Sequence, residues 1–174
     1  MEVKALKLRR ATEAELDAVN ALIECAVMTW ALPERVKRLS LPSYRYQAHD
    51  LDHLELVLAE AGETGIVGIA AWEQADPGDA PAGCRGLLLH GIYVDPAQHH
   101  RGIGTRLLAA AEDAARVGGF DGVLVKAQSG AEGFFLAQGL QGLPVEDHTR
   151  DYPYRFWKPV MPGTGAAADA GRHQ

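Results

Sequence analysis

The chain has 174 residues, enough for one domain with a sizeable core and too few for two ordinary ones. Its 47% hydrophobic and 23% charged residues are the balance of a soluble globular protein, and no run reaches the ~18 apolar residues of a membrane span. The net charge of −6 argues against a nucleic-acid surface, which needs an excess of cations, and is compatible with a cationic amine as substrate. The opening residues have no signal-peptide core, so a cytoplasmic location without membrane attachment is expected. Cys25 and Cys84 alone suggest neither a disulfide framework nor a zinc site, and no metal is expected.

In chain order, residues 3–10 alternate as an opening strand, and Thr12 with Glu15 forms a capping pair ahead of a helix. Leu16, Val19, Leu22, Ile23, Ala26 and Val27 give that helix its apolar stripe, which ends near Trp30, before Pro33. A second helix begins near Glu34 and is expected to be interrupted at Leu39–Pro42; residues 44–52 read equally as helix or loop. Residues 54–60 and 64–72 form two antiparallel strands about a tight connection. A Pro/Gly-rich loop over residues 74–86 leads to a strand at 87–94. A third helix spans 103–117, with Leu107, Leu108, Ala111 and Ala115 inward and Gly118-Gly119 as its stop. A strand at 122–127, a short helix at 130–138 and a last strand at 154–159 complete the order. Residues 1–162 are expected to form a single domain, with 163–174 as a mobile tail of small and polar residues.

The most informative segment is Val94-Asp-Pro-Ala-Gln-His-His-Arg101-Gly-Ile-Gly104-Thr-Arg106. It joins the end of an apolar strand to a helix start, where backbone N–H groups lack intrahelical partners and the helix dipole is positive. Gly102 and Gly104 let a ligand approach the backbone, and Arg101 and Arg106 add charge, so a pyrophosphate is the natural guest. The loop has neither the Gly-Lys-Ser/Thr ending of a Walker-type site nor the third glycine of a dinucleotide fingerprint.

This loop resembles the acyl-CoA loop of the GNAT superfamily of N-acyltransferases, whose pattern is Gln or Arg, two residues, Gly, one residue, Gly or Ala. His99 stands at the leading position, with Gln98 one residue before it. A second match runs from Gln128 through Ala131, Phe134 and Phe135 to Gly139 and Leu140, and is similar to the family's Asn-x-x-Ala-x-x-Phe-Tyr-x-x-x-Gly-Phe. The element order β-α-α-β-β-β-α-β-α-β is that of the same fold over residues 3–160. The resemblance therefore implies a mixed α/β (α+β) protein whose central, mostly antiparallel sheet is flanked by helices.

It further implies an N-acetyltransferase that joins acetyl-CoA, its co-substrate, to a primary amine by direct attack in a ternary complex. The amine is a small molecule or a peptide. By the same resemblance, the loop residues His99, His100, Arg101, Gly102, Ile103, Gly104, Thr105 and Arg106 would bind the cofactor. The backbone of Ile92, Tyr93 and Val94 would pair with its pantetheine arm, and Gln128 and Phe135 of the second motif would adjoin it. Gly91 marks close backbone approach or plain packing.

A neutral amine is needed for attack, so a base is required; His90 is the leading candidate and Glu73 the second. Phe135 stands where many relatives carry a Tyr that protonates the leaving thiolate. Tyr93, Tyr152 or Tyr154 could replace it, the thiolate could leave without a side-chain acid, or the protein could be a non-catalytic acyl-CoA-binding or sensing domain. Trp30, Leu32 and Pro33 could wall an acceptor pocket, and Glu146, Asp147 and Asp151 could attract a cation. The apolar segment Tyr154–Trp157 could serve as a surface for homodimerisation or be covered within the monomer.

Overall fold

The computed structural model describes residues 5–128 and 130–161. Strand β1 (Leu6–Arg10) leads through a single 3-10 turn to helix α1 (Leu16–Met28), and helix α2 (Glu34–Tyr44) follows. Strands β2 (Glu55–Ala61), β3 (Gly65–Gln74) and β4 (Gly86–Val94) precede helix α3 (Ile103–Val117). Strand β5 (Gly122–Lys126), helix α4 (Glu132–Ala137), strand β6 (Gln141–Gly142) and strand β7 (Arg155–Pro159) complete the order. The expected sequence of elements is present. The expected terminal tail, 163–174, lies outside the described residues.

The strands form a seven-stranded sheet in the order β1-β2-β3-β4-β5-β7-β6. β4 and β5 are parallel, in register from Gly86–Gly122 to Leu89–Val125. The β1–β2, β5–β7 and β6–β7 pairs are antiparallel. β7, for which the sequence left open a surface for a second copy or cover within the monomer, has strands on both sides. Its Phe156 and Trp157 pair with Gly142 and Gln141 of β6. β6 is too short to show a period, which is why the sequence did not reveal it.

Strand ends shift by one or two residues from expectation, and two helices differ in a way that has a local cause. α2 continues through Pro42 to Tyr44. Proline there falls in the last turn, where its missing N–H forfeits one hydrogen bond and the helix stops two residues later. α4 starts at Glu132, not at Gly130, whose φ of +99° is not helical.

The chain divides into two compact units, one from Met1–Ala71 with Gly91–Leu108 and the other from Trp72–His90 with Ala109–Gln174. In the first, the predicted stripe of α1 is buried in full. It packs in one cluster with Leu56 and Leu58 of β2, Ile69 and Ala71 of β3, and Tyr93. The last carbonyl of α1 is closed by Lys37, whose Nζ donates to Met28 O at 2.7 Å and, just beyond the helix, to Trp30 O at 3.2 Å. In the second unit, Val123, Leu124 and Val125 of β5 and Ala111 and Ala115 of α3 are buried. No helix of the described residues is long and apolar enough to cross a membrane, and both cysteines are free thiols.

Arg9 ties β1 to the start of α1 and to β2. Its guanidinium pairs with Glu15 and, at 2.6 Å, with Glu60. Glu15 also accepts from Thr12 N at 2.9 Å, so the predicted cap is part of an ion-pair network. The Arg9 guanidinium, with help from Thr12, holds the Glu15 carboxyl at about 2, below its ordinary 4.5. A carboxyl lowered on folding stabilises the fold fully above its unfolded value and loses that contribution as pH falls. Urea unfolding should therefore show a loss of stability between about pH 4.5 and pH 2. Glu15→Gln should make that acid limb shallower; equal slopes in the two proteins would refute the assignment.

Candidate active site

The loop between β4 and α3 is built from its ends inward. At its start the Asp95 N–H donates to Val67 O on β3 at 2.8 Å, and Asp95 Oδ1 accepts from Ala97 N at 3.0 Å. That Asx cap starts the short turn at Pro96–Gln98. His100 and Gly102 then take left-handed backbone conformations, φ +63° and +76°. His100 does so with a side chain, a strained arrangement that concentrates at ligand-binding loops.

At the loop's end, Ile103 is buried. A Cβ at Gly68 of β3 would lie 2.8 Å from Ile103 Cγ2 and 3.0 Å from Leu107 Cδ1, so only glycine lets the start of α3 approach this strand. Gly68 and Asp95 position the loop, and neither was singled out from the sequence. A lone glycine inside a strand and an Asp-Pro pair after one were the available signals.

The loop fits a pyrophosphate. A Cβ at Gly102 would meet nothing within 4 Å, leaving open space over the backbone. The first turn of α3 contains no acidic residue to neutralise its positive end. Arg101 and Arg106 are exposed, and Arg101 Nη1 donates to Gln98 Oε1 at 2.9 Å. His99 and His100 are exposed, their rings 6.2 Å apart, and Thr105 is also exposed. Among the described residues no group of three His, Cys, Asp or Glu could hold a metal ion.

β4 carries the next features. Its ladder with β5 ends at Leu89–Val125, yet the strand runs on to Val94. Residues 90–94 therefore have no ladder partner on β5. Ile92 and Val94 are half-buried on alternate positions, with Tyr93 on the other face. Tyr93 is buried, and its ring stacks on Trp30 at 6.5 Å while Trp30 meets Tyr44 edge-on at 5.4 Å. Burial raises the Tyr93 phenol above its usual range, making it a poorer acid. The same ring accounts for Gly91: a Cβ there would sit 3.0 Å from Tyr93 Cε2.

His90 and Glu73, read from the sequence as alternative bases, form one pair. His90 Nε2 lies 2.8 Å from Glu73 Oε1, with the side chains about one-third exposed at 33% and 29%. A carboxylate only accepts, so Nε2 carries the proton and neutral His90 presents its Nδ1 lone pair as the basic atom. The hydrogen bond orients the ring.

Other candidates have different occupations. Phe135 is buried, stacked on Phe156 at 6.1 Å and edge-on to Phe134 at 5.2 Å. Tyr152 donates its hydroxyl to Ala127 O at 2.9 Å. Gln128 is half-buried, and its carbonyl accepts from Ala131 N at 3.0 Å, ahead of α4. Asp147 accepts from Thr149 N and Oγ1, which holds its carboxyl below the usual range. Asp151 accepts from the N–H groups of Asp147 and Glu146, both at 3.1 Å, and is lowered likewise.

The model of the acetyltransferase (GNAT) family matches residues 23–140, more than half of the chain. The chain belongs to the GNAT family of acetyltransferases. No curated protein matches the sequence at a significant level. Among solved structures, it is similar to the paia N-acetyltransferase of Thermoplasma acidophilum in complex with coenzyme A: TM-score 0.71, 13% identity, 90% of this chain and 99% of that one. A GNAT acetyltransferase from Brucella melitensis in complex with acetyl-CoA gives TM-score 0.63 and 17% identity, over 91% of this chain and 90% of that one. The KacTA–DNA complex gives TM-score 0.59 and 18% identity, over 90% and 94%. At these identities the likeness is one of fold, and the DNA complex shows that this fold alone does not exclude a nucleic-acid partner.

Two glycine substitutions separate the constraints on the GNAT loop. Gly102→Ala adds a Cβ to open space but keeps a left-handed backbone, so it should cost about 1–2 kcal/mol in chemical unfolding. Gly68→Ala must displace Ile103 or Leu107 and should cost about 1–3 kcal/mol. A neutral effect at both positions would refute this account of the loop.

Proposed function

We propose that this protein transfers the acetyl group of acetyl-CoA to a primary amine, a small molecule or a peptide, by direct attack in a ternary complex. The observation that carries the reading is the Glu73–His90 pair, with His90 the first residue of β4 beyond the β5 ladder. The setting proposed is the cytoplasm, without a metal, a membrane or a nucleic-acid partner, the last in keeping with the net charge of −6.

Acetyl-CoA supplies the acyl carbon as an activated thioester. Residues His99–Arg106 would hold its pyrophosphate through the N–H groups of Gly102, Ile103, Gly104 and Thr105 and the charges of Arg101 and Arg106. The backbone of Ile92, Tyr93 and Val94, without a partner strand on β5, would pair with its pantetheine arm, and Gln128 and Phe135 would adjoin that arm. His90 Nδ1 takes the proton released by the amine nitrogen as the C–N bond forms and the C–S bond breaks. Glu73 keeps its hydrogen bond to Nε2 and balances the positive charge that His90 acquires. With Phe in place of Tyr at 135, the thiolate leaves without a side-chain acid, as a thiol of pKa about 8.5 allows, and takes its proton from solvent.

Phe135, buried and without a hydroxyl, favours one rival reading, a non-catalytic acyl-CoA-binding or sensing protein. Turnover decides between them. Acetyl-CoA and CoA, but not ATP, should raise the thermal midpoint, by a stabilisation of about 2.7 kcal/mol at a 100-fold excess over Kd. An amine panel with thiol-release detection should then show turnover, and His90→Ala should slow it about 100-fold or more while leaving acetyl-CoA affinity intact. Glu73→Gln should fall between. Stabilisation without thiol release would favour the sensor, and an equal shift with ATP would overturn the cofactor assignment.

A further inference from the structure

The second compact unit contains a cluster of four charges, two of them nearly buried, that the proposed chemistry does not use. Lys126 of β5 and Arg155 of β7 are direct cross-strand partners. Two cations so placed repel unless each has a counter-charge. Both counter-charges come from loops. Asp79, in the loop between β3 and β4, pairs with Lys126 at 2.9 Å. Asp151, in the loop between β6 and β7, lies 3.6 Å from Arg155 Nη2, and both side chains are only 8% exposed.

Arg155 also reaches the two loops through their backbones. Nη1 donates to Asp79 O at 2.9 Å and Nη2 to Pro144 O at 3.1 Å. Its own carbonyl accepts from Leu143 N at 2.9 Å. Asp151 in turn collects the Glu146 and Asp147 amides. One guanidinium thus joins β7 to two separate loops.

This arrangement is not an efficient source of stability. Arg155 Nε is buried without a hydrogen-bond partner among the described residues. Desolvating a pair of charges offsets most of their attraction, and an apolar pair of similar volume does as well or better. What a planar five-donor fork adds is direction, because its donors must face fixed carbonyls.

We infer that Arg155 is a positioning residue that latches the Leu143–Tyr152 loop and the Asp79 loop into one conformation, and so sets the affinity for the amine acceptor. The kinetic part rests on the acetyltransferase reading and on the expectation that the acidic residues of this loop, Glu146 and Asp147, attract a cationic acceptor. The conformational part does not.

The test uses Arg155→Met and Arg155→Lys in the full chain. By hydrogen exchange without acceptor or cofactor, the Glu146 and Asp147 amides should exchange about tenfold faster or more in Arg155→Met, with Val123–Val125 unchanged. Arg155→Lys keeps the charge but cannot span both carbonyls, so it should lie between; it also serves if Arg155→Met does not fold. With the amine found most active in the panel, KM should rise about tenfold while kcat and the KM for acetyl-CoA stay within about twofold. Unchanged exchange in a folded variant overturns the latch. Faster exchange with an unchanged amine KM overturns the positioning role and leaves the acetyltransferase reading intact. Loss of turnover in the parent protein would overturn that reading, with the exchange result still deciding the latch.

Discussion

The ladder between β4 and β5 lasts for four residue pairs and ends at Leu89–Val125. Peptide groups in a folded chain need partners, and the rest of the site follows from how β4 meets that demand after the ladder stops. On the β3 side the chain stays anchored, because the Asp95 N–H reaches Val67 O just after the strand ends. On the β5 side His90–Val94 have none of the ladder bonds that would occupy their backbone. From the anchored end the chain has few residues in which to turn into α3. It does so through an Asx cap, two left-handed residues and a close approach made possible by Gly68.

Burial separates the charges that hold the fold from those available for chemistry. Arg155 and Asp151 are nearly buried and engaged with each other and with backbone. Arg9 and Glu15, though more exposed, are locked into a network at the entry of α1. Arg101 and Arg106 are exposed at a helix start that carries no acid in its first turn. Most helix starts offset their dipole with Asp or Glu. Leaving it uncompensated beside two arginines costs some stability and keeps the attraction for an anion. The Glu73–His90 pair lies between these extremes, about one-third exposed and joined by a hydrogen bond that orients the imidazole.

Much of the architecture was legible because it depends on short-range pattern. The stripe of α1, the inward positions of α3 and its Gly118-Gly119 stop follow from a period of 3.6 and from local capping, which fix buried faces before any tertiary contact forms. The turn from β4 into α3 was equally legible, since Gly102 and Gly104 stand where an apolar strand gives way to a helical stripe. α2 was misread at Pro42 because a proline's cost depends on how near the helix end it falls, and that end was set elsewhere in the fold.

What the sequence by itself determined is therefore the order of elements, the family and the glycine and arginine positions of the β4–α3 loop, all written in neighbours a few positions apart. Only the tertiary structure decided which polar side chains meet. It joined Glu73 to His90 as one pair across seventeen residues of sequence, set Asp151 beside Arg155, and buried Phe135 against Phe156. The physical reason is range. Periodicity and capping act over one or two turns of chain, whereas a hydrogen bond or an ion pair needs two groups within about 3–4 Å, a distance that only the packed sheet sets for residues far apart in sequence.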